Sequence, residues 1–177
     1  FKELFRIGWP IGVMGVIEVA LMSVITFLMG HFGSNQLAAY QIARQFWILG
    51  MMIVISIAQT ATVRVGQAVG RGDKSTIKLS AYVNMWIGFA LISSFTLMYL
   101  IEPQKLIGID IDPGNPYHMQ LMHYSIVFLS IAGISQLFDN FRFIVVGALR
   151  GLKDTQFPMY ISFVAFWLIA LPAAYIF

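Results

Sequence analysis

Residues 4–30 read LFRIGWPIGVMGVIEVALMSVITFLMG, a long and almost wholly apolar run. Its length and apolarity suit a helix that crosses the hydrocarbon core of a bilayer, which takes about 20 residues. Glu18 is the only charged residue between Arg6 and the end of the stretch. A carboxylate at membrane depth is costly, so its default interpretation is an ion, proton or substrate site. The stretch therefore predicts a membrane-spanning helix with a functional residue on it.

The rest of the chain repeats this pattern. Of its 177 residues, 59% are hydrophobic and only 11% are charged, whereas soluble domains carry about 25% charged residues. The mean hydropathy is +0.79. Apolar runs predict five spans, at about residues 4–30, 37–70, 77–101, 117–149 and 158–177. We expect an all-α, polytopic transmembrane helix bundle in which residues 1–177 form a single transmembrane domain, and we expect the chain to be part of a longer transporter.

The basic residues predict the orientation of the bundle. Eight of the eleven Lys and Arg residues lie at alternate ends of the spans: Lys2, Arg6, Arg64, Arg71, Lys74, Lys78, Arg150 and Lys153. The positive-inside rule places these ends in the cytoplasm, together with the N-terminus of this segment. We therefore expect a multi-pass protein of the cell (inner) membrane. The same rule accounts for the net charge of +3, and we expect no nucleic-acid partner.

Asp139 is a second acidic residue at membrane depth, on a different span from Glu18. Glu18 lies about 16 Å into its span at 1.5 Å per residue, and Asp139 lies at a similar depth in the fourth span. Two acids at one level of a bundle predict a shared site for a cation, a proton or a cationic substrate. If the protein is coupled to sodium, Glu18 and Asp139 are the candidate Na⁺ ligands.

Arg142 offers a second interpretation of Asp139. The two residues are three positions apart and can meet on one helix face, so Asp139 could simply neutralise Arg142. The fourth span also carries a stripe of candidate cavity-lining residues: Gln136, Asn140, Arg142 and Phe143. Interhelical hydrogen bonding by Gln136 and Asn140 is the alternative to a cavity wall.

Local signals predict details of the helices. Gly147 and Gly151 match the small-residue spacing of close helix packing. Ser75 or Thr76 is the expected N-cap of the third span, and Pro172 should kink or unwind the last span. Arg44 shares a face with Gln41 and Gln45. These three side chains either line an outer vestibule or reach to the membrane interface.

Several function classes have no support in the sequence. Cysteine is absent, which excludes disulfides and thiolate metal sites. No G-x-S-x-G or H-E-x-x-H pattern is present, and the glycine-rich residues 66–72 lack the Gly-Lys-Ser/Thr ending of a phosphate loop. We expect no enzyme and no cofactor other than a coupling ion.

Five motifs together resemble the multidrug and toxic compound extrusion (MATE) family. They are GWPIG at 8–12, TFLMGHFG at 26–33, LAAYQI at 37–42, ATVRVGQAVGRGD at 61–73 and GALRGLKDT at 147–155. The first is followed by Glu18, and the last is preceded at helical distance by Asp139. The motifs cover nearly the whole chain in the family's order and spacing.

The resemblance implies a twelve-helix transporter with two six-helix lobes, of which this chain would supply five spans of the second, C-terminal lobe. It implies export of cationic or amphipathic drugs and toxic compounds, driven by inward Na⁺ or H⁺. In the branch named for norfloxacin efflux, the cation site maps onto Glu18 and Asp139. The implied partners are small-molecule substrates, membrane lipid and the N-terminal lobe of the same protein.

The sequence departs from the family pattern around Asp139. Some members carry a tyrosine where this chain has Ser135, and small apolar residues where it has Asn140 and Arg142. An adjacent arginine could take the cation's place, which weakens the expectation of Na⁺ coupling more than that of H⁺ coupling. Two alternatives to drug antiport remain: a related flippase for lipid-linked oligosaccharides, for which Arg142 is a weak hint, and a non-transporting structural membrane protein.

Overall fold

The computed structural model describes residues 2–110 and 119–176. The elements are α1 (Lys2–Phe32), α2 (Ser34–Gly70), α3 (Lys74–Ile101), α4 (Pro103–Ile107), α5 (Met119–Gly151), α6 (Gln156–Phe163), a π-helical segment (Val164–Ala170) and α7 (Leu171–Ile176). Five stretches are long and apolar enough to cross a membrane: α1, α2, α3, α5 and the continuous stretch Gln156–Ala174. The prediction of an all-α transmembrane helix bundle is confirmed. The expected start of the fourth span, near Tyr117, lies outside the described residues.

Two glycine turns mark the two ends of the bundle. Gly33 joins α1 to α2 with φ 131°, and Gly72 lies in the turn between α2 and α3 with φ 70°. Both φ values are accessible to glycine at little steric cost. Successive spans run in opposite directions, so α4 lies at the same end as Gly33, and the turn after Gly151 lies at the same end as Gly72. These are called the Gly33 end and the Gly72 end below.

Helices α2 and α5 form the most closely packed pair. A Cβ atom on Gly147 would lie 2.5 Å from the backbone oxygen of Ala58, and one on Gly151 would lie 2.7 Å from that of Thr62. The Thr62 hydroxyl donates a hydrogen bond of 2.8 Å to the Gly147 carbonyl oxygen. Small residues allow the two backbones to approach, as their spacing predicted. Helix α3 packs beside this pair, and α1 contacts α2 and α6 more loosely.

Helix α3 is capped by Asp73, so the prediction of Ser75 or Thr76 as the N-cap was wrong. The Asp73 carboxylate accepts hydrogen bonds from the backbone N–H groups of Ser75 and Thr76, each at 3.1 Å. It also accepts a hydrogen bond from each of their hydroxyl groups. Aspartate is as strong an N-cap as serine, and here it satisfies two N–H donors at once.

The last span departs from α-helical geometry ahead of Pro172, where a kink or unwinding was predicted. Residues Val164–Ala170 are π-helical, and α7 begins at Leu171. Proline lacks the N–H that would bond to the carbonyl oxygen four residues earlier, and its ring crowds that turn. A widened turn accommodates this conflict without breaking the helix, and such segments are frequent at functional sites.

Candidate functional site

Arg142 bridges the two membrane-depth acids. Its Nη1 atom lies 2.6 Å from Glu18 Oε1, and its Nη2 atom lies 3.4 Å from Asp139 Oδ1. Asp139 and Arg142 are three residues apart on α5, which places them on one face of that helix. Glu18 comes from α1, so the bridge joins two helices. Glu18, Asp139 and Arg142 are called the triad below.

The triad is partly buried. The exposed fractions of its side chains are 30% for Glu18, 32% for Arg142 and 22% for Asp139. The Arg142 guanidinium also lies over two aromatic rings, 4.2 Å from the Phe143 centroid and 5.2 Å from the Phe166 centroid. Aromatic faces stabilise a guanidinium that has lost part of its water. Two carboxylates and one guanidinium leave the triad with one net negative charge.

A cavity of about 190 Å³ opens beside Glu18 and Arg142. Its walls come from α1, α5 and α6: Ile11, Met14, Gly15, Glu18, Arg142, Phe143, Val146, Arg150 and Ser162. Arg150 lies about 12 Å further along α5 than Arg142, at 1.5 Å per residue, and close to the end of that helix. Its charge is at the Gly72 end of the same cavity, where it attracts the Glu18 carboxylate from a greater distance than Arg142 and offsets part of the triad's negative charge.

The four residues proposed to line a cavity divide into two pairs. Arg142 and Phe143 line the cavity beside Glu18. Gln136 and Asn140 do not line it, because they face the interior of the bundle and are fully buried. Gln136 Nε2 donates a hydrogen bond of 2.6 Å to the Trp47 carbonyl oxygen on α2. Asn140 Nδ2 donates a hydrogen bond of 3.3 Å to the Met85 carbonyl oxygen on α3.

Glycines explain why Gln136 and Asn140 turn inward. A Cβ atom on Gly50 would lie 2.5 Å from Gln136 Nε2, and one on Gly88 would lie 2.1 Å from Asn140 Oδ1. Each glycine leaves room for one amide group between helices. Both residues thus make interhelical hydrogen bonds, which is one of the two interpretations that the sequence left open.

The triad does not offer an open metal site. Within residues 2–110 and 119–176, no three His, Cys, Asp or Glu residues cluster closely enough to hold a metal ion. The space between the Glu18 and Asp139 carboxylates is taken by the Arg142 guanidinium. Na⁺ could use both carboxylates only if Arg142 moved away.

Sequence reasoning did not find Phe166, Arg150 or Ser162. Phe166 and Ser162 belong to the last span, whose rotation around its own axis no spacing rule fixes. The spacing of Arg150 could have indicated its place in the site, because a residue eight positions after Arg142 lies on nearly the same helix face. Its position in the last turn of α5 favoured an interfacial assignment instead.

Comparison with known proteins identifies the family. The family model MatE matches residues 10–176. The chain belongs to the MATE family. A similar protein is the "Probable multidrug resistance protein NorM" of Rhizobium meliloti, which is 37% identical over 100% of this chain and 38% of its own length. Another of the same description, from Deinococcus radiodurans, is 34% identical over 96% of this chain and 38% of its own length.

The "Multidrug resistance protein NorM" of Burkholderia vietnamiensis is 31% identical over 98% of this chain and 37% of its own length. The MATE chain described here thus spans less than two fifths of these relatives. Membership of the family, with the five apolar helices, makes this a multi-pass membrane protein of a transporter family rather than of an enzyme family.

Proposed function

We propose that the protein containing this chain is a multidrug antiporter of the cell (inner) membrane, in which the triad couples substrate export to cation entry. The relatives' descriptions as multidrug resistance proteins support the efflux activity. Basic residues at the Gly72 end support a cytoplasmic location for that end and for the N-terminus of this segment. The expected partners are cationic or amphipathic small molecules, surrounding lipid and an N-terminal lobe of the same protein.

The net charge of the triad carries this proposal. Glu18 and Asp139 share one guanidinium, so the triad carries one net negative charge, which the more distant Arg150 compensates only in part. One proton, or one cationic group of a substrate, would neutralise it. Occupancy by both is disfavoured because it would leave an excess positive charge in a site of low dielectric constant. Such competition is the physical basis of antiport.

The proposed cycle follows from this competition. A proton that enters from outside would neutralise the triad and displace the cationic group of a bound substrate. The neutral triad would then favour the inward-facing state, and loss of the proton to the cytoplasm would regenerate the negative charge. The ion can drive the change only through its different affinity for the two states.

We propose H⁺ as the coupling ion because Arg142 occupies the place between the two carboxylates. A proton can bind to a carboxylate oxygen while the guanidinium stays. The same bridge argues against the flippase alternative, since Arg142 is engaged by two carboxylates and is not free for a pyrophosphate head group. The structural alternative predicts that neutralising the acids changes stability and leaves transport intact.

The test is efflux by the full-length protein in proteoliposomes under an imposed pH gradient or an imposed Na⁺ gradient. Wild type should export a cationic dye under the pH gradient and not under the Na⁺ gradient. Glu18→Gln and Asp139→Asn should each reduce coupled efflux at least about tenfold, because each variant leaves the triad neutral.

Glu3→Gln is the matched control. Glu3 lies on the same helix, but its partner is Lys153 at 2.7 Å in an exposed pair, and such pairs contribute little to stability. Efflux by Glu3→Gln should equal that of wild type. Unchanged efflux in Glu18→Gln would remove the triad from the mechanism, and efflux driven by Na⁺ alone would overturn the assignment of the ion.

A further inference from the structure

A second, larger cavity lies between α1, α2 and α5, in the half of the bundle toward the Gly33 end. Its volume is about 440 Å³, and its walls are Met22, Ile25, Met29, Tyr40, Ala43, Arg44, Trp47, Phe128, Ile131, Ala132 and Ser135. Small-molecule sites commonly have volumes of about 300–1,000 Å³. None of these residues lines the cavity beside Glu18, so the two cavities are distinct.

The triad lies next to the end of this cavity that is farther from the Gly33 end of the bundle. Met22 is one helical turn beyond Glu18 on α1, and Ser135 is one turn before Asp139 on α5. The Trp47 indole, which lines the cavity, lies beside the Asp139 carboxylate. A ligand that fills the cavity would therefore end about one turn, or roughly 5 Å, from the level of the two acids.

The walls suit an aromatic amphiphile. Trp47, Tyr40 and Phe128 present aromatic rings from two helices, and Met22 and Met29 add flexible thioether side chains from a third. Methionine adapts to irregular ligands and makes favourable contacts with aromatic rings. Apolar walls with few polar groups are typical of sites in which one or two polar contacts fix the orientation of a ligand.

Arg44 is the one charged side chain on these walls. Arg142 pairs with two acids, whereas Arg44 has no acidic partner within 4.0 Å among residues 2–110 and 119–174. It lies about 15 Å along α2 from Ser34, at 1.5 Å per residue, and is only partly exposed. A guanidinium in such surroundings favours an anionic partner, because its planar donors hold a carboxylate through two parallel hydrogen bonds.

We propose that this cavity is a binding site for cationic aromatic amphiphiles that also carry an anionic group, with Arg44 as the residue that selects for the anionic group. The aromatic body of the ligand lies against Trp47 and Phe128, and its far end points toward the triad. This site deepens the proposed function by naming a substrate class, and it rests on that function only in treating the bound amphiphile as cargo.

The experiment measures binding of one dye in two forms to the full-length protein in lipid nanodiscs, without any ion gradient. The probes are a rhodamine as its free acid and the same rhodamine as its ethyl ester, read by fluorescence polarisation. The two share an aromatic body and differ in one anionic group. Wild type should bind the free acid about tenfold more tightly, which corresponds to about 1.4 kcal/mol.

Three variants test whether Arg44 causes the preference for the free acid. Arg44→Gln should abolish the preference for the free acid while retaining affinity for the ester, which also shows that the variant is folded. Arg44→Lys should keep most of the preference because the charge stays. Arg64→Gln removes a cation from the same helix near the Gly72 end, where Arg64 is exposed, and should behave as wild type.

Equal affinity of wild type for the two dyes would overturn the proposal, as would a preference that survives Arg44→Gln. Failure of this site and failure of the antiport cycle are separable. Glu18→Gln should lose coupled efflux yet keep the preference for the free acid in the binding measurement. Loss of that preference in Glu18→Gln would show that the triad, and not Arg44, selects the ligand.

Discussion

Arg142 makes two ion pairs at once because its guanidinium is a planar fork. Nη1 faces Glu18 and Nη2 faces Asp139. A lysine ammonium is a compact point charge on a flexible stem and does not reproduce this bridge. The bridge is therefore a property of this residue type, and the two acids depend on it for charge compensation at membrane depth.

Arg142→Gln should destabilise the protein by about 1–3 kcal/mol. That is less than the roughly 3–5 kcal/mol lost when a fully buried pair is broken, because about a third of the Arg142 side chain is exposed. The second substitution Asp139→Asn should restore much of the loss, since it removes the surplus carboxylate. Thermal unfolding of the single and double variants in detergent gives the coupling energy. Additive losses would mean that Arg142 and Asp139 do not interact.

Asp73 gives a pH-dependent prediction outside the membrane. Hydrogen bonds from Ser75, and then from Thr76, hold the pKa of Asp73 below its ordinary value. A lowered pKa means that the ionised cap stabilises the folded state above the ordinary value and that this stabilisation is lost as the pH falls below it. The protection of amides at the start of α3, measured relative to their intrinsic exchange rates, should therefore decrease as the pH drops below about 4, the ordinary range of an aspartate.

Asp73→Asn is the informative comparison for this cap. Asparagine still accepts a hydrogen bond at an N-cap and does not titrate. Protection of the first turn of α3 in this variant should not depend on pH between about pH 3 and pH 7. Asp154→Asn changes an exposed acid in the other turn at the Gly72 end and should leave the wild-type pH dependence of α3 intact. A pH-independent wild type would contradict the prediction.

The residue scale also shows what spacing on one helix can and cannot predict. The contact of Asp139 with Arg142 followed from their separation by three residues. The contact of Arg142 with Glu18 joins residues 124 positions apart. It depends on how α1 and α5 are rotated about their own axes, which no periodicity fixes. Depth in the membrane predicted only that Glu18 and Asp139 lie at one level.

At the scale of the elements, the contact between α2 and α5 organises the bundle. Small residues place the α5 backbone against Ala58 and Thr62, and the buried amide of Gln136 fills the space opposite Gly50. The sequence predicted close packing from Gly147 and Gly151. It could not predict which face of α5 would turn inward, because polar residues lie on both the face toward α1 and the face toward α2.

Gly147→Ala should destabilise this contact. The new methyl group would lie 2.5 Å from the backbone oxygen of Ala58, and a backbone atom cannot move aside cheaply. Forcing extra volume into a packed site costs about 1–3 kcal/mol. Gly8→Ala is the control, since a Cβ atom there has no neighbour within 4 Å among the described residues. The measurement is the midpoint of thermal unfolding, and an equal midpoint for the two variants would contradict the prediction.

At the scale of the whole molecule, α1 packs more loosely into the bundle than α2 does. Its buried residues are one stripe, Pro10, Met14, Ile17 and Leu21, whereas α2 buries ten residues along its length. Three features attach α1 to its neighbours: this stripe, the exposed pair of Glu3 with Lys153, and the triad. Of these three attachments, only the triad places charges at membrane depth. Neutralising it should therefore weaken the attachment of α1 to α5 more than it disturbs the packing of α2 against α5.

Acidification should therefore move α1 relative to α5. The chain contains no cysteine, and spin labels are placed at Val16→Cys on α1 and Val145→Cys on α5, both exposed positions. On acidification from about pH 8 to about pH 5, the label distances should shift as the triad gains a proton. Addition of Na⁺ at high pH should not shift them, because Arg142 already occupies the site.

Two further samples decide whether the triad causes this movement. In Glu18→Gln the ionised Asp139 and Arg142 leave the triad neutral at high pH, so its label distances there should already match those of acidified wild type. Labels at Val63→Cys on α2 and Val145→Cys on α5 report on the glycine-packed pair, and their distances should stay constant throughout. If the α2–α5 pair moved as much as the α1–α5 pair, acidification would be loosening the whole bundle. If Glu18→Gln still responded to pH in the same way, Glu18 would not be the switch.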